Sequence, residues 1–162
     1  MKQFALKDFT EYLKRNQVPY VPSVDAGIRQ ITMTYAVENA PNRCVEGCIW
    51  WYGDGAEVRV YYDSMGADIC RKSEHKDELL RLLNFVNARV FLSCGDASGL
   101  YAPHMLYTPR IYLTEDGCGD ITIYCPELLD RLSPAIFGVL LGQMEVERAI
   151  GYVKEKLLGC NR

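Results

Sequence analysis

The chain has 162 residues, a formal net charge of −3 and a sequence pI of about 5.4. Its length is that of one domain with a core of its own. The slightly acidic balance argues against nucleic acid as the main partner, because phosphate binding requires a basic face.

The sequence also argues against a membrane or secreted protein. The longest apolar run, 135–141, is too short to cross a bilayer. Charges at Lys7, Asp8 and Glu11 interrupt any apolar stretch that a signal peptide would need. The seven cysteines are odd in number and show no spacing typical of secreted scaffolds, so reduced thiols in the cytoplasm are expected.

The first half of the chain predicts a helix followed by three strands. Apolar residues recur at helical spacing from Leu6 to Leu13, and prolines at 19 and 22 end that pattern. Alternating apolar residues then indicate strands. The predicted bounds are 4–15 for the helix and 28–37, 44–52 and 57–63 for the strands.

The two later strands predict a hairpin, because Gly53, Asp54 and Gly55 lie between them. A two-residue turn at Asp54 and Gly55 fixes a register. That register pairs Trp51 with Val58 and Ile49 with Val60 on the core face, and Trp50 with Arg59 and Cys48 with Tyr61 on the other face.

The second half predicts a further helix, more strands and one long helix. Ser73 is the predicted cap of a helix whose buried stripe runs from Leu79 to Val86. Ser133 and Pro134 have the pattern of a helix start. The predicted bounds are 90–93 for a short strand, 94–104 for a loop, 106–114 and 119–125 for a hairpin, and 134–158 for the long helix.

The long predicted helix is apolar on two sides, so it needs cover from the sheet and from a helix or a second chain. Its second stripe consists of Phe137, Leu140, Leu141 and Met144. Gly138 and Gly142 lie four residues apart, a spacing that admits either another helix or bulky neighbouring side chains.

These elements predict an α+β fold in the order α-β-β-β-α-β-β-(β)-α. An antiparallel sheet of five to six strands would carry its helices on one face, in a single domain spanning 1–162. The long apolar helix and the half-apolar strands are the patterns on which this prediction rests.

No motif predicts a metal or a cofactor. Cys44 and Cys48 are separated by roughly 13 Å if they lie on one strand, which is too far for two ligands of one zinc ion. The segment 93–99 faintly resembles the nucleophile segment of chymotrypsin-like proteases. A cysteine-dependent enzyme or small-ligand site using Cys94, Asp96 and His104 is therefore an alternative to a structural glycine-rich loop.

The outward face of the predicted sheet collects aromatic and arginine side chains. Such residues supply binding hot spots, although cross-strand packing on a solvated sheet, with Trp50 over Arg59, is the other interpretation. The residues on this face are Cys48, Trp50, Tyr52, Arg59, Tyr61, Arg110, Tyr112 and Tyr124.

Three segments, together with the order of elements, resemble the YbjN-like proteins, whose fold is similar to that of the type III secretion chaperones. They are Leu-Leu-Arg-Leu-Leu-Asn-Phe-Val-Asn-Ala-Arg at 79–89, the hairpin formed by 111–117 and 121–123, and Leu-Ser-Pro at 132–134. By residues, the resemblance spans about 79–140. It implies a small, dimeric, chaperone-like or regulatory module without catalytic residues.

The sequence therefore predicts a cytoplasmic, non-enzymatic module that binds a polypeptide, itself included, and forms a homodimer. No cofactor, metal, nucleic acid or membrane partner is expected. The predicted contact residues are Trp50, Tyr52, Arg59, Tyr61 and Tyr112 on the sheet, and Phe137, Leu141 and Met144 on the long helix.

Overall fold

The structure, a computed structural model, describes residues 6–52, 56–90, 104–111 and 124–159. The helices are α1 (Leu6–Arg15), α2 (Ser64–Lys72), α3 (Lys76–Asn87), α4 (Cys125–Leu140) and α5 (Val146–Lys156). The strands are β1 (Tyr20–Asp25), β2 (Ile28–Ala36), β3 (Cys44–Trp51), β4 (Ala56–Tyr62) and β5 (His104–Ile111).

These strands form one antiparallel sheet in the order β1-β2-β3-β4-β5, so the predicted α+β class with an antiparallel sheet is confirmed. Strand β1 was not predicted. It joins β2 through Ala26 and Gly27, whose φ angles of 47° and 81° form a two-residue hairpin turn. An alanine at positive φ gives no sequence signal for such a turn.

Pro22 is the reason that the sequence does not predict β1, and its position explains why the strand tolerates a proline. The carbonyl of Pro19 accepts a hydrogen bond from Thr34 N–H, so the backbone groups of Pro22, three residues on, face away from β2. Because β1 is at one edge of the described sheet, the missing N–H of Pro22 interrupts no ladder hydrogen bond.

The β3–β4 register differs from the predicted one by two residues. Ile49 pairs with Val58, and Trp51 pairs with Ala56, so four residues connect the strands instead of two. Because the shift is even, Ile49 and Val60 keep the core face, and Trp50 and Arg59 keep the other face. The prediction of the pairs was wrong, whereas the prediction of the two faces holds for Ile49 and Trp50.

All the described helices that meet the sheet pack on its core face. On one half of this face, α1 places Phe9 and Leu13 against Ile31, Met33 and Ile49. On the other half, α4 covers Val60 and Tyr62, and α2, α3 and α5 complete this second cluster. The Tyr62 hydroxyl, fully buried, bonds to the Leu129 carbonyl and Ser133 Oγ, both at 3.0 Å.

Helix α2 was not predicted, and its presence changes the role of Ser73. The helix is capped by Asp63, whose carboxylate accepts hydrogen bonds from the N–H groups of Met65 and Gly66. Ser73 ends α2 and does not cap α3 as predicted. Its hydroxyl accepts from His75 N–H at 3.0 Å and donates to the Leu140 carbonyl at 2.6 Å.

The predicted helix over 134–158 is wrong in two respects. Helix α4 begins at Cys125, with Pro126 in its first turn, so Pro134 lies inside it. The chain then breaks at Gly142, whose φ is +65°. Gly142 N–H donates to the Val139 carbonyl at 2.9 Å and Gln143 N–H to the Gly138 carbonyl at 2.8 Å, which is a Schellman motif that ends α4.

Several predicted elements lie partly or wholly outside the described residues. Helix α3 ends at Asn87 and Val90 lies in the following turn, so a strand does not begin at 90. Tyr124 and Cys125 are predicted as the end of a strand, but Cys125 is the first residue of α4 and Tyr124 is the residue before it. Pro126, in the first turn, favours a helix start at this point. The segments 91–103 and 112–123, with Cys94, Asp96 and Tyr112, lie outside the described residues.

Candidate protein-binding surfaces

The outer sheet face is the surface opposite the helices, formed by Thr32, Glu46, Cys48, Trp50, Arg59 and Tyr61. Strand alternation directs these side chains away from the core. Thr32, Cys48 and Arg59 are cross-strand neighbours in one row, and Glu46 is paired with Tyr61. None of the helices in the described ranges packs on this face, since their buried contacts lie on the other one.

At the centre of the outer sheet face, the Arg59 guanidinium carbon lies 5.0 Å from the centroid of the Trp50 ring. Trp50 is paired with Glu57, so Arg59 is its diagonal neighbour. The predicted stacking is therefore present, although the predicted direct pairing is not. Such a cation–π contact contributes about 0.5–1 kcal/mol at an exposed site.

Cys48 is the cross-strand partner of Arg59 and is only 4% exposed. Its Sγ accepts from Thr32 Oγ1 at 3.9 Å and donates to Gln30 Oε1 at 3.7 Å. Burial raises the pKa of the Cys48 thiol, and the Thr32 hydrogen bond and the Arg59 charge only partly oppose it. A thiol held protonated is a poor nucleophile, so Cys48 is suited to packing.

Two acidic groups of the outer sheet face are also perturbed by burial. Burial raises the pKa of Tyr61 to about 12, with smaller contributions from Glu46 and Cys48. Burial and the Asp63 carboxylate raise the pKa of Glu46 above its usual range. Water is thus partly excluded here even without a partner, which strengthens polar contacts made across the surface.

Four of the five sheet residues that are predicted as contacts lie within the described residues. All four are half-buried: Trp50 lies on β3, Tyr52 directly follows β3, and Arg59 and Tyr61 lie on β4. Tyr112 lies outside the described residues. Arg110 belongs to β5, and His104 is that strand's first residue, paired with Tyr61.

Tyr124 was predicted on the outer sheet face and is not there. It precedes the first turn of α4, and it lines a cavity of about 350 Å³ with Arg89 and Leu157. The apolar alternation before Pro126 is typical of a strand, whereas the structure has the first turn of α4 at Pro126.

The helix groove is a second surface, a cavity of about 400 Å³ that contains the three helix residues predicted as contacts. Leu141 is 51% exposed and Met144 is half-buried, but Phe137 is 7% exposed and packs edge-on against Tyr62 at 4.7 Å. The groove is lined by Asn39, Ala40, Pro41, Ser133, Pro134, Phe137, Gly138, Leu141, Gln143, Met144 and Arg148.

The break in the predicted long helix creates this groove. After Gly142 the chain folds back, and Met144 Cβ would lie 3.0 Å from a β-carbon placed on Gly138. A β-carbon placed on Gly142 would lie 2.7 Å from His75 Nε2. Both glycines therefore accommodate neighbouring side chains, which is one of the two interpretations that their spacing left open.

Sequence reasoning missed Asp130, which holds one wall of the groove. Its carboxylate accepts hydrogen bonds from the N–H groups of Glu38, Asn39 and Ala40, and a fourth from the Asn39 side chain at 2.9 Å. No local pattern could have predicted this role, because the donors precede Asp130 by about ninety residues. Arg148, also overlooked, contributes a cation to the same groove.

Within the described ranges, no group of three or more His, Cys, Asp and Glu side chains could hold a metal ion. The helices in these ranges are too short or too polar to cross a membrane. No protein-family model matches the chain, and comparison with curated proteins and with solved structures found no match.

Proposed function

We propose that this protein is a non-enzymatic, chaperone-like or regulatory module that binds a polypeptide through its outer sheet face. The observation that carries the proposal is that Trp50, Arg59 and Tyr61 lie half-buried on one sheet face that the described helices leave open. Tryptophan, tyrosine and arginine are the side chains most often found as hot spots of protein interfaces.

The form of the surface supports a protein partner more than a small substrate. Its aromatic side chains lie on the face of a sheet and are only half-buried, so a partner would remove further apolar area from water. About 800 Å² on each side makes a standard interface. The raised pKa of Cys48 argues against thiol chemistry at its centre.

A second copy of the chain is the partner that we propose first, acting in the cytoplasm. The resemblance to the YbjN-like proteins and the type III secretion chaperones supports this choice, because it implies a dimer. A self-complementary patch around a twofold axis is the usual geometry of such an assembly.

Sedimentation velocity across a wide concentration series tests the proposal. We expect the wild type to shift toward a dimer, and Trp50→Ala to weaken that association at least about tenfold, equivalent to 1.4 kcal/mol. Leu80→Ala is the matched control, since Leu80 is exposed on α3 and away from the sheet.

Two results would count against the proposal. A wild type that stays monomeric at every concentration would remove the homodimer. A Trp50→Ala variant that associates normally but loses more than roughly 8 °C in melting temperature would assign Trp50 to the core.

A further inference from the structure

The helix groove has an apolar floor and rim that are held in place by the surrounding fold. Phe137 is fixed against Tyr62 from below, with ring centroids 4.7 Å apart. Leu141 projects from the rim with half of its surface exposed. Met144 is held beside Gly138 and is flexible enough to adapt to an incoming side chain.

The polar groups in the wall of the groove already have hydrogen-bond partners within the protein. Asn39 donates its amide N–H to Asp130, and the Asp130 carboxylate receives four hydrogen bonds in total. Ser133 Oγ is bonded to Tyr62 and to the Leu129 carbonyl. These groups shape the groove but offer little to a ligand.

Arg148 is different, because among the described residues that line the groove it is the one that carries a charge. It is exposed, and no ion pair holds its guanidinium within the described part of the chain. The nearby Arg81, by contrast, donates to Glu147 at 2.6 Å. A guanidinium with free donors beside an apolar cavity is complementary to a carboxylate attached to an apolar group.

We propose that the helix groove binds a peptide segment in which a large apolar side chain is followed by an aspartate or glutamate. The apolar side chain contacts Phe137, Leu141 and Met144, and the carboxylate accepts hydrogen bonds from Arg148. A volume of about 400 Å³ is near the lower end for ligand pockets and suits one or two side chains. This site does not depend on the outer sheet face.

Fluorescence anisotropy with labelled peptides tests this site on the full chain. The probes are Gly- and Ser-flanked peptides with a central Leu-Leu-Asp, Leu-Leu-Asn or Ser-Ser-Asp. We expect Leu-Leu-Asp to bind at least about tenfold more tightly than either of the others. Added salt should weaken only the aspartate-dependent part.

Variants connect each part of the peptide to its residue. Arg148→Gln should make Leu-Leu-Asp and Leu-Leu-Asn bind equally, and Leu141→Ser should weaken both peptides that contain leucine. Arg29→Gln is the matched control, because Arg29 is an exposed arginine on β2, distant from the groove. Trp50→Ala should leave peptide binding unchanged, which separates this site from the outer sheet face.

The proposal is overturned if Leu-Leu-Asp shows no binding up to millimolar concentrations, or if it binds no better than Leu-Leu-Asn. It is also overturned if Arg148→Gln and Arg29→Gln behave alike. Binding of octanoate but of no peptide would assign the groove to a small amphiphilic acid instead of a protein segment.

Discussion

Asp130 on α4 accepts a hydrogen bond of 2.7 Å from the backbone N–H of Asn39, in the turn that follows β2. The same carboxylate also holds Ala40 N–H, at 2.9 Å, and is almost fully buried. One side chain thereby satisfies several backbone donors that would otherwise be buried without partners. The turn that forms a wall of the helix groove is fixed by this contact.

We expect Asp130→Asn to destabilise the fold by about 2–4 kcal/mol, because the amide replaces a charged acceptor and directs one N–H group toward backbone donors. Urea unfolding should show a lower midpoint with an unchanged slope. Asp25→Asn is the control, since Asp25 is exposed at the end of β1. Equal midpoints for the two variants would contradict the role assigned to Asp130.

We expect Gly142→Ala to cost about 1–3 kcal/mol, from its left-handed backbone and from the steric contact with His75. Gly159→Ala separates these causes, because Gly159 has a similar φ of +64° and open space around it. Thermal unfolding should show a larger loss for Gly142→Ala. If the two losses are equal, the His75 contact has no energetic role.

The protein should lose stability as the pH rises from about 10. Burial raises the pKa of Tyr61 to about 12, and the pKa values of Tyr35 and Tyr62 are raised further by the same cause. Between pH 10 and pH 12, these tyrosines have lost their protons in the unfolded chain but keep them in the folded chain. Unfolding therefore becomes more favourable as the pH rises. The stability that Tyr61 contributes in its protonated form is fully present below pH 10 and is lost as the pH passes 12.

A titration of tyrosinate absorbance checks this expectation. A late-titrating fraction should be present in the folded protein, should decrease in Tyr61→Phe, and should disappear in denaturant. One single transition near pH 10 in the folded protein would contradict the burial of these three side chains.

A double-mutant cycle over Trp50→Ala and Arg59→Ala measures the contact at the centre of the outer sheet face. We expect a coupling free energy of about 0.5–1 kcal/mol in unfolding experiments. The small value follows from the partial exposure of both residues. A coupling free energy near zero would mean that the stacked geometry does not contribute to folding.

The faces of the sheet could be predicted from the sequence because side-chain alternation is a local property. Ile49 is buried and Trp50 faces outward even though the β3–β4 loop is longer than predicted, since a shift by an even number preserves parity. Strand β1 was not predictable in this way, because Pro22 argues against a strand unless it is known to lie at an edge.

The groove was beyond sequence reasoning for a different reason. The apolar pattern around Gly142 is compatible with one continuous helix, and only its contact with His75 and the Schellman motif fix a break there. Asp130 binds backbone donors about ninety positions earlier in the chain. Arg148 lines a groove whose other residues come from the turn at 39–41, from α4 and from the break that follows α4. Tertiary proximity of that kind has no periodic signature.

The order of strands in the sheet has a consequence for folding kinetics. Strands β1 to β4 are joined by short turns, so their contacts have low contact order and require little loop-closure entropy. Strand β5 reaches β4 only after the intervening segment 63–103 has been closed, so its docking is expected to be late. Amide hydrogens bonded between β4 and β5 should therefore acquire protection after those of the β2–β3 ladder.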